Sequence, residues 1–274
     1  MSRTAPDNSA VISVDGLSTR YGTRDILSDV SFEVNRNEVF VIMGASGSGK
    51  STLLRHVLAL EQGHAGEVEM LGQRPASLSR RELLDLRKQI GVAFQGGALF
   101  SSMSVVENVE LPLKEHTRLD GNTMRIMSRM KLELMNLGHA EDLMPAQLSG
   151  GMTKRAGLAR ACIMDPQILF FDEPSAGLDP VTSAELDELI LKLRDALRIT
   201  VVVVTHELES AFKIADRIMI IDAGRVRAVG TVDQIRASDD AVVQDLLNRR
   251  PRASEMDGEA YIDRLTAGGG RTTW

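Results

Sequence analysis

The residues best suited to chemistry stand in one run, Gly44-Ala45-Ser46-Gly47-Ser48-Gly49-Lys50-Ser51-Thr52. It follows the apolar stretch Val39-Phe40-Val41-Ile42-Met43, which reads as a buried strand, and precedes residues 53–58, which read as a helix. Strand, glycine-rich turn and helix start in that order make a phosphate cradle. Main-chain N–H groups converge on phosphate oxygens, and the helix directs its positive end at the anion. In this pattern side chains at Gly44, Gly47 and Gly49 would obstruct the phosphates, Lys50 reaches the β- and γ-phosphates, and Ser51 ligates Mg²⁺.

Other candidate groups lie far from this run in sequence. Ile168-Leu169-Phe170-Phe171 precedes Asp172-Glu173, a buried strand ending in paired carboxylates. The pair divides the work: Asp172 holds the Mg²⁺ shell, and Glu173 polarises an attacking water. Residues 90–95 read as a strand ending in Gln95, and residues 200–206 as a buried strand ending in His206. Carboxyl ends of parallel strands line ligand crevices, so Gln95 is placed to touch Mg²⁺ or a water at the γ-phosphate, and His206 to stand beside the phosphates. A structural role at a strand end stays open for both. Ser149-Gly150-Gly151-Met152 opens a second helix with a natural N-cap and two glycines that expose backbone donors. A second phosphate-reading helix in one chain makes sense if it acts on a nucleotide held by a different subunit.

The elements that must position these groups are legible from periodicity. Residues 11–17, 30–34 and 67–72 read as short strands of an antiparallel sheet beside a parallel core. Residues 79–89 are helical, and residues 104–145 form a helical insertion rich in Met124, Met127, Met130, Leu132, Leu134, Met135 and Leu137. Such a stripe suits a core or an adaptable docking surface. A helix is expected over 181–197, another over 207–215, a strand pair over 217–223 and 225–230, and a helix from Thr231. Tyr21 lies ahead of the phosphate loop, where a ring either stacks on a nucleobase or caps the end of a strand. The expected organisation is a flexible segment 1–9, a globular unit 10–247 with a helical insertion at about 96–163, and an extension 248–274. In that extension Tyr261, Ile262 and Leu265 leave docking and a solvated end both open.

Composition narrows the class. The chain has 274 residues, 43% hydrophobic and 26% charged, and its apolar runs fall short of the ~18 residues that cross a bilayer. A net charge of −6 argues against a broad nucleic-acid footprint. The single cysteine, Cys162, excludes an internal disulfide and reads as a small core residue. The polar start MSRTAPDNSA lacks an apolar signal region, which makes the cytosol the expected compartment.

The ordered set GASGSGKST, Gln95, LSGGM, ILFFDE, SAGLD and His206 resembles the ATP-binding cassette (ABC) ATPases. The resemblance covers residues 11–236. It implies an α/β fold: a P-loop NTPase core with an N-terminal antiparallel β subdomain and an inserted α-helical subdomain. ATP and Mg²⁺ are the implied ligands. Tyr21 then looks like the adenine-stacking aromatic, Gln95 the Q-loop residue, Ser149 to Met152 the signature, Glu173 the catalytic base, Asp179 the loop acid that communicates across a dimer, and His206 the switch histidine. The signature of the family usually ends in Gln, so Met152 removes a polar contact. The family arrangement is a head-to-tail homodimer with two ATP molecules between facing subunits.

LSGGMTKRAGLARA, GALF and ENVELPL further resemble the subgroup that energises MCE-type lipid transporters. That likeness implies a permease dimer in the inner membrane, an MCE substrate-binding partner, phospholipid cargo and a peripheral place on the cytoplasmic face of the membrane. Some such systems add a small STAS-domain subunit. The rival readings are a soluble cassette ATPase of DNA repair, chromosome organisation or translation, and a pseudo-ATPase scaffold. One cassette without sustained heptads disfavours the first, and the presence of Lys50, Glu173 and His206 disfavours the second.

Overall fold

The structure, a computed structural model, describes residues 7–250. β1 (Asp7–Tyr21) and β2 (Arg24–Arg36) form a long antiparallel hairpin closed by the pair Tyr21↔Arg24. Gly22 between them has φ 63°, a conformation open to glycine at little cost. β3 (Val39–Met43) leaves this layer and enters a second sheet, whereas β4 (Ala65–Met70) returns to pair with β1, giving the order β2-β1-β4. β5 (Ile90–Ala93), β6 (Ile168–Asp172), β7 (Thr200–Thr205) and β8 (Arg217–Asp222) join β3 in parallel, and β9 (Arg225–Gly230) pairs antiparallel with β8. The order is β5-β6-β7-β3-β8-β9.

The continuous apolar runs of β3, β6 and β7 follow from burial of both sheet faces. Val39, Val41 and Met43 of β3 point into one core, Phe40 and Ile42 into the other. On the second face lie the small sheet and α1 (Lys50–Val57), with Leu53, Leu54 and Val57 buried. Phe32 of β2 stacks on Phe40 at 5.6 Å between ring centroids, so the two sheets are joined by an aromatic pair.

The first face carries most of the helices. α2 (Arg80–Arg87) stands apart from that layer, its Arg87 donating to Ala59 O just beyond α1; it opens with a reciprocal Ser79/Glu82 capping box and leads into β5. Between β5 and β6 stand α3 (Val105–His116), α4 (Gly121–Leu134) and α5 (Gly150–Ala161), the last two linked through two short 3-10 turns. α6 (Pro180–Leu197), α7 (Leu208–Ile214), α8 (Val232–Arg236) and α9 (Ala241–Leu247) complete the layer.

Several expectations shift. The hairpin strands are 15 and 13 residues long rather than short, and β1 begins at Asp7, inside the segment expected to be flexible. Bulges hide the alternation that marks a strand there: the β1–β2 register shifts repeatedly, and Asp29 adopts φ 54°. The methionine-rich stripe divides, with Met135, Leu132 and Leu137 in the core, Met124 and Met127 packed against it, and Met130 at 67% exposure facing outward. Cys162 is fully buried, and desolvation pushes its thiol up to about 12, in keeping with a packing role. The expectations for residues 251–274, including Tyr261, Ile262 and Leu265, lie outside the described residues.

Candidate functional site

β3, β5, β6 and β7 run in parallel, so the loops after them gather at one edge of the sheet. A cavity of about 590 Å³ opens there, lined by Ser46, Gly47, Gly49, Lys50, Ser51, Thr52, Gln95, Asp172, Glu173 and His206 together with Tyr21. Residues scattered over four motifs thus share one wall. Gln95 sits in the turn beyond β5, two residues later than a strand-end position, and remains exposed to the cavity.

The fold itself places demands on the glycines of the loop. A Cβ on Gly44 would stand 2.2 Å from Ile221 O, and one on Gly49 would stand 2.9 Å from Leu27 Cδ2. Close packing on the β8 backbone therefore demands glycine at Gly44, and at Gly49 a φ of +106° adds to the close approach of β2. Gly47 has open space around its Cα but φ +77°, so backbone conformation demands it. Lys50, though buried, donates to Gly44 O at 2.7 Å and Ala45 O at 3.0 Å. Burial pulls its ammonium below the usual lysine range, and the Glu173 and Asp172 carboxylates work against that shift. Ser48 Oγ is buried without a hydrogen-bond partner on the side of the loop that packs at Gly44, outside the cavity lining.

Asp172 ends β6. Burial, and next the neighbouring Glu173 charge, raise its carboxyl above the ordinary carboxylate range, with Lys50 opposing. Glu173 is not a strand residue: the chain turns left-handed at φ 50° as its N–H donates to Val204 O at 2.8 Å. That turn swings its carboxylate toward β7, where Oε2 lies 2.9 Å from His206 Nδ1 and accepts a 3.3 Å bond from Thr205 Oγ1. Thr205 carries a single sequence signal, a polar side chain closing the run VVVV.

Tyr21 stands at a strand end that borders the cavity. It is the last residue of β1, and its half-exposed ring borders the cavity while its hydroxyl donates to the Glu61 carboxylate. Arg55 donates to the same hydroxyl at 3.4 Å and pairs with Glu61 at 3.0 Å. Arg24 and Ile26 also line the cavity, and no sequence signal singled them out.

Ser149, Gly150, Gly151, Met152 and Asp179 do not line this cavity among the described residues. Ser149 caps α5, accepting from Met152 N at 3.2 Å. Met152 packs against the core. The carboxylate of Asp179 is the N-cap of α6, accepting from Val181 N, Thr182 N and Thr182 Oγ1, and these bonds, the last first, depress its pKa.

The family described as "ABC transporter" matches residues 27–176, more than half of the chain. The chain belongs to the ABC transporter family. The Haemophilus influenzae "intermembrane phospholipid transport system ATP-binding protein MlaF" is 41% identical over 92% of this chain and 93% of its own length. The Mycobacterium leprae "probable ribonucleotide transport ATP-binding protein mkl" is 38% identical over 87% of this chain and 69% of its own length. A dimeric ATP-binding cassette solved in a post-hydrolysis state with ADP and Pi superposes with a TM-score of 0.74 at 31% identity, covering 81% of this chain and 98% of that one.

As an ABC-type ATPase with the P-loop NTPase fold, the chain binds and hydrolyses ATP. Its cavity fits that substrate. The loop after β3 and the start of α1 line it, as a site for phosphates requires, and Lys50 is at hand for their charge.

Proposed function

We propose that this ABC ATPase is the motor of a membrane transporter that moves phospholipid between inner and outer membranes, and that it works as a homodimer. The observation that carries the dimer is the placement of the α5 N-terminus. It offers two glycine N–H donors under a Ser149 cap, yet stands apart from the cavity its own chain supplies. A second subunit packed head to tail brings that terminus over the phosphates, so each ATP is held by the P-loop of one subunit and by Ser149 to Met152 of the other. Asp179, at the start of α6, then lies at the same junction.

Within each composite site the chain divides its work. Gly44 to Thr52 bind the phosphates, with Ala45 and Ser46 closing the loop, and the Tyr21 ring covers the adenine. Ser51, Gln95 and Asp172 offer oxygen ligands of the kind Mg²⁺ prefers, few enough to leave the metal its waters and the phosphate oxygens. When bound, the metal neutralises charge developing on the γ-phosphate. Glu173 accepts the proton of the attacking water, and His206, hydrogen-bonded to it, orients the carboxylate toward the γ-phosphate. Hydrolysis weakens the link between subunits, and their separation drives the transporter.

Phospholipid cargo is supported by the MlaF relative, and it brings the remaining partners: an integral membrane permease dimer, an MCE-domain substrate-binding protein and a small STAS-domain subunit. Among the described residues no helix is long and apolar enough to cross a membrane, consistent with a peripheral subunit on the cytoplasmic face of the inner membrane. Exposed Phe94 and Phe100 beside Gln95 offer the permease an apolar contact. A different cargo is the second reading, favoured by the mycobacterial relative named for ribonucleotide transport. Purification from detergent-solubilised membranes tests both. Recovery of a permease and an MCE protein with bound phospholipid is expected; recovery of DNA or ribosomes without a membrane partner rejects the transporter, and a nucleotide-loaded complex selects the second cargo.

A further inference from the structure

Helix α5 grips two functional loops with two cationic side chains. Near its start, Lys154 donates to Pro174 O at 2.5 Å, Ala176 O at 2.6 Å and Glu173 O at 3.4 Å. Those three carbonyls use all three donors of an ammonium. Burial lowers the Lys154 pKa, while the Glu173 and Glu207 carboxylates help keep the proton in place. Near the end of the helix, Arg160 donates to Ala98 O at 2.8 Å and Gly97 O at 2.9 Å, just beyond Gln95. Gly157 lies so close to this loop that a Cβ there would meet Gly97 Cα at 2.9 Å.

The segment that Lys154 holds has few strong bonds of its own. Glu173 at φ 50° and Gly177 at φ 75° bracket a loop whose internal backbone bonds are long, 3.3 Å from Ala176 N to Glu173 O and 3.1 Å from Leu178 N to Ser175 O. Ser175 Oγ is buried there without a partner. A left-handed non-glycine residue persists only where its surroundings over-determine it. The Val204 carbonyl holds the Glu173 N–H from one side, and Lys154 holds the carbonyls that follow from the other.

We infer that Lys154 is a positioning residue: it transmits the placement of the α5 N-terminus, which meets the nucleotide of the opposite subunit, to the Glu173 carboxylate acting on the nucleotide of its own. The inference rests on the composite-site reading above. Each ATP would then be sensed by one subunit's α5 and passed through Lys154 to the other ATP's base, so the two sites fire in concert. Arg160 extends the same rigid unit to the loop carrying Gln95.

The test uses the full chain assembled with its membrane partners, comparing wild type with Lys154→Met, which keeps the stem and removes the donors. Nucleotide affinity and KM for ATP are expected to stay put, kcat to fall about 10–100-fold through misplacement of the base, and the Hill coefficient for ATP to drop toward one. Lys154→Arg, which restores donors to the same carbonyls, recovers part of both. Wild-type kcat and Hill coefficient in Lys154→Met overturn the inference, as does a loss confined to thermal stability. Should that variant not fold, Lys154→Leu, equally without donors, takes its place, and the same two outcomes overturn the inference. Glu173→Gln measured alongside separates the premises: no ATP-dependent dimer in that variant removes the composite site, whereas a normal dimer there beside a fully active Lys154→Met removes only the link.

Discussion

His206 Nδ1 lies 2.9 Å from Glu173 Oε2, joining the ends of the adjacent parallel strands β7 and β6. The bond aims the carboxylate that the left-handed turn at Glu173 has swung across the strand ends. In Glu173→Gln the shape and the hydrogen bond persist and the proton acceptor is lost. ATP hydrolysis is therefore expected to fall about 10²–10⁴-fold, the usual worth of a general base, with ATP binding intact and a closed dimer accumulating. Gel filtration with ATP and single-turnover kinetics read both; turnover at the wild-type rate removes Glu173 from its role.

Asp172 links the site to pH. Burial and the Glu173 charge raise its carboxyl, so the nucleotide-free folded chain holds that proton more firmly than the unfolded chain does. Between the unfolded and folded pKa values the native state binds more protons, and stability falls as pH rises through that window. Asp172→Asn removes the buried charge. The nucleotide-free variant is expected to melt higher than wild type at neutral pH, with a flatter stability profile just above the ordinary carboxylate range, while Mg²⁺-dependent hydrolysis is lost. A Tm at or below wild type contradicts the assignment.

Lys50 meets two loop carbonyls in the described state and is positioned to exchange them for phosphate oxygens. Lys50→Ala removes charge-assisted bonds worth about 3 kcal/mol together, which corresponds to about a hundredfold weaker ATP binding. Fluorescent-nucleotide titration measures this directly, and unchanged affinity would exclude contact between Lys50 and the phosphates.

Gly151 separates binding from dimer closure. A Cβ there would stand 2.7 Å from Thr182 Cγ2, pushing the α5 start away from α6, while the P-loop cavity lies elsewhere. Gly151→Ala is expected to bind ATP like wild type yet fail to form the ATP-dependent dimer in the Glu173→Gln background. Analytical ultracentrifugation with ATP decides it: a normal dimer shows that the α5 N-terminus does not close the site.

Much of this protein is legible in its sequence alone. The run from Gly44 to Thr52, the apolar strands before Asp172 and His206, and the Ser149 cap are all readable because each is a local pattern, set by periodicity and by the few residue types that allow a given backbone. The tertiary structure decided what those patterns are for. Gly44 is required by the close approach of Ile221 on β8, a strand far away in sequence, and Glu173 reaches His206 through the left-handed turn after β6. Thr205 and Lys154 act through bonds to the Glu173 carboxylate and to the carbonyls after it, and a carbonyl has no signature in sequence. The sequence names side chains and local geometry; which distant backbone atoms they meet depends on the order β5-β6-β7-β3-β8-β9, which no short motif encodes.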